Sequence, residues 1–297
     1  MNSKQTIKAQ IAAFFTALFW GYSFTWTTEV LEFFNPMSII FMRLVIALTL
    51  LIPLMLLLRM RERVSWKALG QLALLGFFQP FLYFIFETYG VKMTTSTLSS
   101  VIISTIPLLV PVGAYLAFRE HLTAVNIIGI LISFSGVALI VLEKQIAFEG
   151  GYWGVVVLFG AVFTAIIYMI LLRKLAGRHN VFTINIYQNI FGMLYFAPFF
   201  FMDGIPTLRQ MDFAMEWIFP LVALAIFGSA AAFILFTYAI GKIGATRAAA
   251  FNNLVPVVTA LAAYFKFAEV ITFQKATGIA IVIAGLFLVQ RQKQLRS

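Results

Sequence analysis

Apolar residues run in long blocks along this chain, and the polar residues gather in short gaps between them. A helix needs about 20 such residues, rising about 1.5 Å each, to cross about 30 Å of hydrocarbon. Ten stretches meet that length, at residues 7–28, 36–58, 67–91, 95–118, 123–142, 152–173, 180–202, 216–240, 245–265 and 272–290, and they define spans 1 to 10. The gaps leave no room for an extramembrane domain. The pattern predicts an all-α membrane protein of ten transmembrane helices.

The blocks fall into two matching sets. Thr88, Tyr89, Pro107, Tyr115, Glu120, Thr123, Gly129 and Gly136 coincide with Thr237, Tyr238, Pro256, Tyr264, Glu269, Thr272, Gly278 and Gly285 under one shift of 149 residues. Self-similarity at a fixed period marks a duplicated unit. It divides the chain into a first repeat over residues 1–148, with spans 1 to 5, and a second over 149–297, with spans 6 to 10. Five spans per repeat is odd, so the second copy must enter the membrane from the opposite side. Inverted repeats of this kind carry their binding site near mid-depth, where the halves meet.

Orientation follows from the basic residues. With the N-terminus inside, 15 Lys and Arg lie on the inner side and 5 on the outer, and Arg43 is left within span 2. Cytoplasmic loops carry the excess of positive charge, which predicts that both termini are cytoplasmic.

Composition removes other classes. At 62% hydrophobic and 11% charged residues, 297 residues cannot bury their apolar side chains in a soluble core. A formal charge of +10 would suggest nucleic acid in a soluble protein. In this chain the basic residues occupy the gaps between apolar blocks, so the expected partner is the lipid bilayer and not nucleic acid. Lys4 and Lys8 before the first block resemble the start of a signal peptide, yet the block is long enough to span and others follow, so a retained helix is expected. Cysteine is absent, which excludes a disulfide framework and a thiolate metal site. Gly241-Lys242 is followed by Ile243 and lacks the earlier glycine of a phosphate-binding loop, so ATP is not the expected energy source. His121 and His179 have no ligands beside them in sequence and read as interfacial basic residues. No metal, cofactor or enzymatic chemistry is expected.

Several residues together carry a family likeness: Asn35-Pro36 with Arg43 seven residues on, a third span rich in Phe and Tyr, and the Pro107 to Glu120 stretch echoed from Pro256 to Glu269. In these features and in its paired five-span halves the chain resembles the EamA branch of the drug/metabolite transporter superfamily over nearly its whole length. The resemblance implies an inner-membrane carrier of small metabolites, often amino acids or toxic compounds, working usually outward through a central cavity lined by spans 1, 3, 4, 6, 8 and 9.

Charges within spans are the most informative residues, because each costs a few kcal/mol at mid-membrane unless paired or wetted. Arg43 lies about 10 Å below the outer start of span 2, and Glu87 lies at a similar depth in span 3. In the second repeat Phe236 replaces Glu87, and Gln188 is the approximate counterpart of Arg43, so both charges are lost together. Glu87 is therefore expected either to bind a cationic group of the substrate or to take up a coupling proton, with Arg43 tuning it or holding a carboxylate. The structural alternative is a bridge between Arg43 and Glu87 that fixes spans 2 and 3.

Thr97, Ser100, Ser104, Pro107 and Pro111 share one face of span 4, and Thr246, Ala249, Asn253, Pro256 and Ala260 share one face of span 9. They either line a cavity or pack helices closely. Asn252 and Asn253 are favoured for the cavity, since a doubled amide has more hydrogen bonds to satisfy than packing requires. Within spans that the family places around the cavity, Trp20, Tyr83, Tyr168 and Tyr238 combine an aromatic face with a polar handle, and Gln79 beside Pro80 is a further lining group. Gly129 and Gly136, Gly278 and Gly285, and the Ala276, Ala280, Ala284 stripe predict close helix contacts at spans 5 and 10, either inside the bundle or between protomers of a homodimer. Glu120 and Glu269 are expected to anchor the turns that end spans 4 and 9.

A secondary carrier exporting a small polar metabolite by alternating access, coupled to protons or simply downhill, is the leading reading. Import of a sugar or other metabolite is the alternative within that class. A lipid flippase or membrane-embedded transferase is the further alternative; it should show interfacial acidic and histidine clusters or a lateral amphipathic groove, and those clusters are missing from this sequence.

Overall fold

The computed structural model describes residues 3–118, 124–142, 152–175, 178–212, 214–243, 248 and 251–294. Glu120, His121, Thr246 and Ala249 lie outside the described residues, as does the side chain of Asn253. The described residues form helices and turns, with no strand among them.

α1 (Ser3–Leu31) leads into α2 (Pro36–Leu57). Asn35 starts α2, because its side-chain oxygen accepts the Ser38 N–H at 2.9 Å and Pro36 occupies a first-turn position that needs no donor. The second half repeats this start. α8 (Trp153–Leu175) leads to α9 (Val181–Phe199), and Asn180 accepts the Thr183 N–H at 2.9 Å.

Span 3 is not the single helix that its apolar block predicts. α3 (Trp66–Gly76) and α4 (Tyr83–Met93) are separated by a widened turn over Phe77–Leu82, in which Gln79 is extended at φ −147° and ψ 119°. Pro80 is the reason: it supplies no N–H and sterically disfavours a helical conformation in the residue before it. Span 4 divides into α5 (Ser96–Ile103) and α6 (Ile106–Phe118), with Pro107 in the first turn of α6. Span 7 runs longer than its apolar block, from α9 through a widened turn at Phe200–Gly204 into α10 (Ile205–Gln210). Span 8 comprises α11 (Met215–Ala223) and α12 (Ala232–Ile243), joined by a widened turn over Leu224–Ala231. Span 9 has a short tight turn at Phe251–Leu254 and then α13 (Val255–Phe267), again with Pro256 in the first turn. Pro107 and Pro256, paired under the shift of 149, thus stand at matched helix starts. At the end of α13, Ala268 is left-handed, the Glu269 N–H donates to the Ala263 carbonyl at 3.3 Å, and the Glu269 carboxylate accepts from Lys275 Nζ at 3.3 Å.

Packing exchanges partners between halves. α1 lies against α12 and α13, whereas α8 lies against α4, α5 and α6. α2 rests on the 224–231 turn, and α9 rests on the 77–82 turn. Each half therefore supplies the surface on which the other half's first helices are buried. α7 (Ala124–Val141) and α14 (Phe273–Gln294), which are spans 5 and 10, pack on each other within the chain. Their glycines permit it: a Cβ on Gly136 or on Gly285 would stand 2.7 Å from the carbonyl oxygen of Gly278 or Gly129, respectively. Ser133, between the two contacts, donates to the Val282 carbonyl at 3.4 Å. Among the described residues, five helices are long and apolar enough to cross a membrane, and shorter apolar helices accompany them in spans 4, 5, 9 and 10.

Substituting Gly136→Val or Gly285→Val should force α7 and α14 apart, with an overpacking cost of about 1–3 kcal/mol. Thermal unfolding of the detergent-solubilised protein should show a lowered midpoint for both. Gly70→Ala, where nothing beyond its chain neighbours and its own helix backbone lies within 4 Å of the added Cβ, should not lower it.

Candidate functional site

The exchanged packing leaves a cavity between the halves of about 80 Å³, several times the roughly 10–15 Å³ that one water requires. Spans 1, 2, 3, 4, 6, 8 and 9 all contribute to its wall. Span 2 is the addition to the set that the family resemblance implied, and it enters through Arg43.

The duplication register runs through this wall. Trp20 and Met169, Gln79 and Gly228, Phe84 and Phe233, Glu87 and Phe236, Ile103 and Asn252, and Ile106 and Val255 all line the cavity, and each pair is related by the shift of 149. Phe84 and Phe233 meet edge to face with centroids 6.3 Å apart. Where the paired residues are alike they are apolar. Gln79, Glu87, Asn252 and the indole of Trp20 each stand opposite an apolar partner, so the polarity of the cavity comes from positions at which the copies differ.

Arg43, 3% exposed, reaches from α2 to the other half, where its Nε donates to Ser229 Oγ at 2.7 Å and its guanidinium carbon lies 4.1 Å from the centroid of the Phe84 ring. A ring face attracts a cation through its quadrupole, so these two contacts support the charge without neutralising it. Glu87 accepts the Tyr83 hydroxyl at 2.8 Å, one turn earlier on α4. The structural alternative, a direct bridge between Arg43 and Glu87, is not formed, since no ion pair within 4.0 Å joins them among the described residues. Ser229 has taken the guanidinium and Tyr83 the carboxylate. Both charges nevertheless open on one cavity.

The other expected residues divide. Gln79 lies on the wall at the interrupted backbone of span 3, and Trp20 lies on it between Phe233 and Phe236, at centroid distances of 5.5 and 4.8 Å. Tyr168 lines the cavity and donates to Gln188 Oε1 at 3.2 Å. Ser104 lines it with its hydroxyl turned back to the Val101 carbonyl at 2.8 Å. Asn252 is on the wall, and its Oδ1 is buried without a hydrogen-bond partner among the described residues. Ser100 and Tyr238 are not part of the wall. Ser100 bonds the Thr97 carbonyl at 2.8 Å, and Tyr238 packs against the apolar cluster of Ala9, Phe236 and Ala239 between α1 and α12.

Ser229 was not among the expected residues. The available signal was the register itself, which matches Gly228-Ser229 with Gln79-Pro80 and so locates a second irregular turn beside the cavity.

Comparison with known proteins gives a consistent result. A family described as "EamA-like transporter family" matches residues 7–142 and again 152–291. A protein of Archaeoglobus fulgidus called an uncharacterized transporter is 28% identical over 288 residues, covering 97% of this chain and 100% of that one. The uncharacterized transporter YetK of Bacillus subtilis is 27% identical over 217 residues, covering 72% of this chain and 66% of its own. A solved crystal structure superposes with a TM-score of 0.70 at 17% identity, covering 97% of this chain and 99% of that one, which establishes likeness of fold.

Ser229→Ala should remove the only side-chain hydrogen bond described for Arg43 and cost about 1.5–3 kcal/mol, the usual range for a bond to a charged group. Ser104→Ala, which removes a bond only to its own helix, should unfold close to wild type in the same thermal assay.

Proposed function

The chain belongs to the EamA-like transporter family, a multi-span membrane family, and from that premise we propose that it is a secondary carrier for a small zwitterionic metabolite, an amino acid or a related compound. The observation that supports this reading is that Arg43 and Glu87 line one cavity between the halves without bonding each other. A cation and a carboxylate held apart in a low-dielectric space each lack full compensation. A solute carrying an ammonium and a carboxylate supplies both counter-charges at once, with Glu87 receiving the ammonium and Arg43 the carboxylate. Trp20, Phe233 and Phe236 offer the remainder of the solute an apolar wall.

In this reading the carrier sits in the cell inner membrane with both termini cytoplasmic, and its two inverted five-span repeats rock about the cavity to expose it to each side in turn. Movement is outward. Glu87 also couples transport to protons, because a carboxylate that must release the substrate ammonium can accept a proton in its place. Interrupted helices at the cavity suit such a mechanism, since they leave backbone groups beside the ligand.

Purified protein in vesicles, tested with a labelled panel of amino compounds, sugars and amines with and without a pH gradient, should move zwitterions saturably. Movement of no solute, accompanied by lipid scrambling, would overturn the carrier reading. Glu87→Gln keeps an oxygen to accept the Tyr83 hydroxyl and should fold as wild type. Loss of an ammonium–carboxylate contact should reduce its transport about tenfold or more. Unchanged flux across pH would remove Glu87 from both roles.

A further inference from the structure

We propose that the linker between α2 and α3 and the residues that lead into α9 form one seat for anionic phospholipid headgroups, laid across the seam between the two halves. The inference rests on the membrane-spanning fold and not on the identity of the transported solute.

Two segments far apart in sequence are pinned together at this end of the molecule. The Glu62 carboxylate meets His179 Nδ1 and accepts the Asn180 backbone N–H at 3.1 Å and Asn180 Nδ2 at 2.7 Å. Asn180 Nδ2 also donates to the Met60 carbonyl at 2.8 Å. Two residues beyond Glu62, Val64 packs against an apolar cluster that includes Leu172 of α8 and Ile184 of α9. The pin therefore has a polar part and an apolar part, and both join the first half to the second.

Around this pin Arg59, Arg61, Arg63, Lys67, Lys174 and Arg178 are all exposed. Glu62 is the one carboxylate within the two segments, and it is turned onto the N-terminus of α9 by the bonds to Asn180. Trp66, 88% exposed at the start of α3, stands on the same rim, where an indole suits the level of the headgroups. A positive bias that only oriented the protein in the membrane would not require the two linkers to be locked to each other. Locked, they present guanidinium groups from both halves to one surface, and an arginine can bind a phosphodiester through two parallel hydrogen bonds. A headgroup with net negative charge fits this surface, whereas a zwitterionic headgroup brings its own cation into it. A lipid seated there contacts both halves and can bias their relative motion.

Purified full-length protein in detergent should be given phosphatidylglycerol, phosphatidylcholine or inorganic phosphate, with retained lipid counted by native mass spectrometry and stability followed by thermal unfolding. Wild type should retain phosphatidylglycerol severalfold over phosphatidylcholine and gain stability from it, with no gain from inorganic phosphate at the same concentration. The combined variant Arg61→Gln, Arg63→Gln, Arg178→Gln changes only exposed side chains and should lose the preference. Glu62→Ala is the sharper case. It deletes a negative charge, so simple attraction demands more phosphatidylglycerol, but it also breaks the pin, so a built seat demands less. Equal retention of the two lipids by wild type, equal protection by inorganic phosphate, or a gain in phosphatidylglycerol for Glu62→Ala would each overturn the proposal.

Discussion

Hydrocarbon offers no partner to a backbone N–H or carbonyl, so an interrupted helix survives in a membrane only where protein or water takes up the freed groups. Besides the widened turn at Phe200–Gly204, the described residues interrupt or restart their helices at Phe77–Leu82, Ser104–Thr105, Leu224–Ala231 and Phe251–Leu254. All four places border one cavity. Their convergence is what the remaining architecture protects. α1 and α8 cover the interrupted spans from either side, and α2 and α9 are braced directly on the widened turns. The close α7–α14 contact joins the two halves again outside the cavity wall.

Exchange of helices between halves has a functional corollary. Because each half is completed by the other, the cavity wall is drawn from paired positions, and near-identical copies would have produced a wall with two equivalent sides. The sides are not equivalent. Glu87 faces the register of Phe236, and Asn252 that of Ile103, while Phe84 and Phe233 preserve the symmetry. The alike pair keeps its aromatic contact, and the positions that differ supply polar groups to the wall. Arg43 crosses the seam to Ser229, so one cation touches both the cavity and the turn on which α2 rests.

Much of this was legible beforehand, for identifiable reasons. Length and apolarity of the blocks located the spans within a few residues, since hydrocarbon thickness dictates helix length. Cap chemistry at Asn35 and Asn180, which is local, sets the starts of α2 and α9. Gln79, Trp20, Tyr83, Glu87 and Arg43 could be named as cavity residues because polar or amphipathic groups in lipid-length helices need an interior to face. Ser100 and Tyr238 had the same credentials and yet face helix contacts, because serine can satisfy itself on its own helix and a tyrosine ring packs as readily as it lines. Ser229, an ordinary small residue in an apolar run, carried no local mark.

What the sequence determined by itself was therefore set by short-range or solvent-scale physics: how many spans, where they start, that the chain is duplicated, and which side chains are too polar for lipid. Tertiary structure alone decided which polar groups meet. Arg43 and Glu87 lie on adjacent spans at similar depth, and depth along a helix gives no information on rotation about it or on the neighbour across the seam. The guanidinium found its partner 186 residues away in the other half, the carboxylate found one a single turn back, and both charges line a cavity whose pairing the sequence left open.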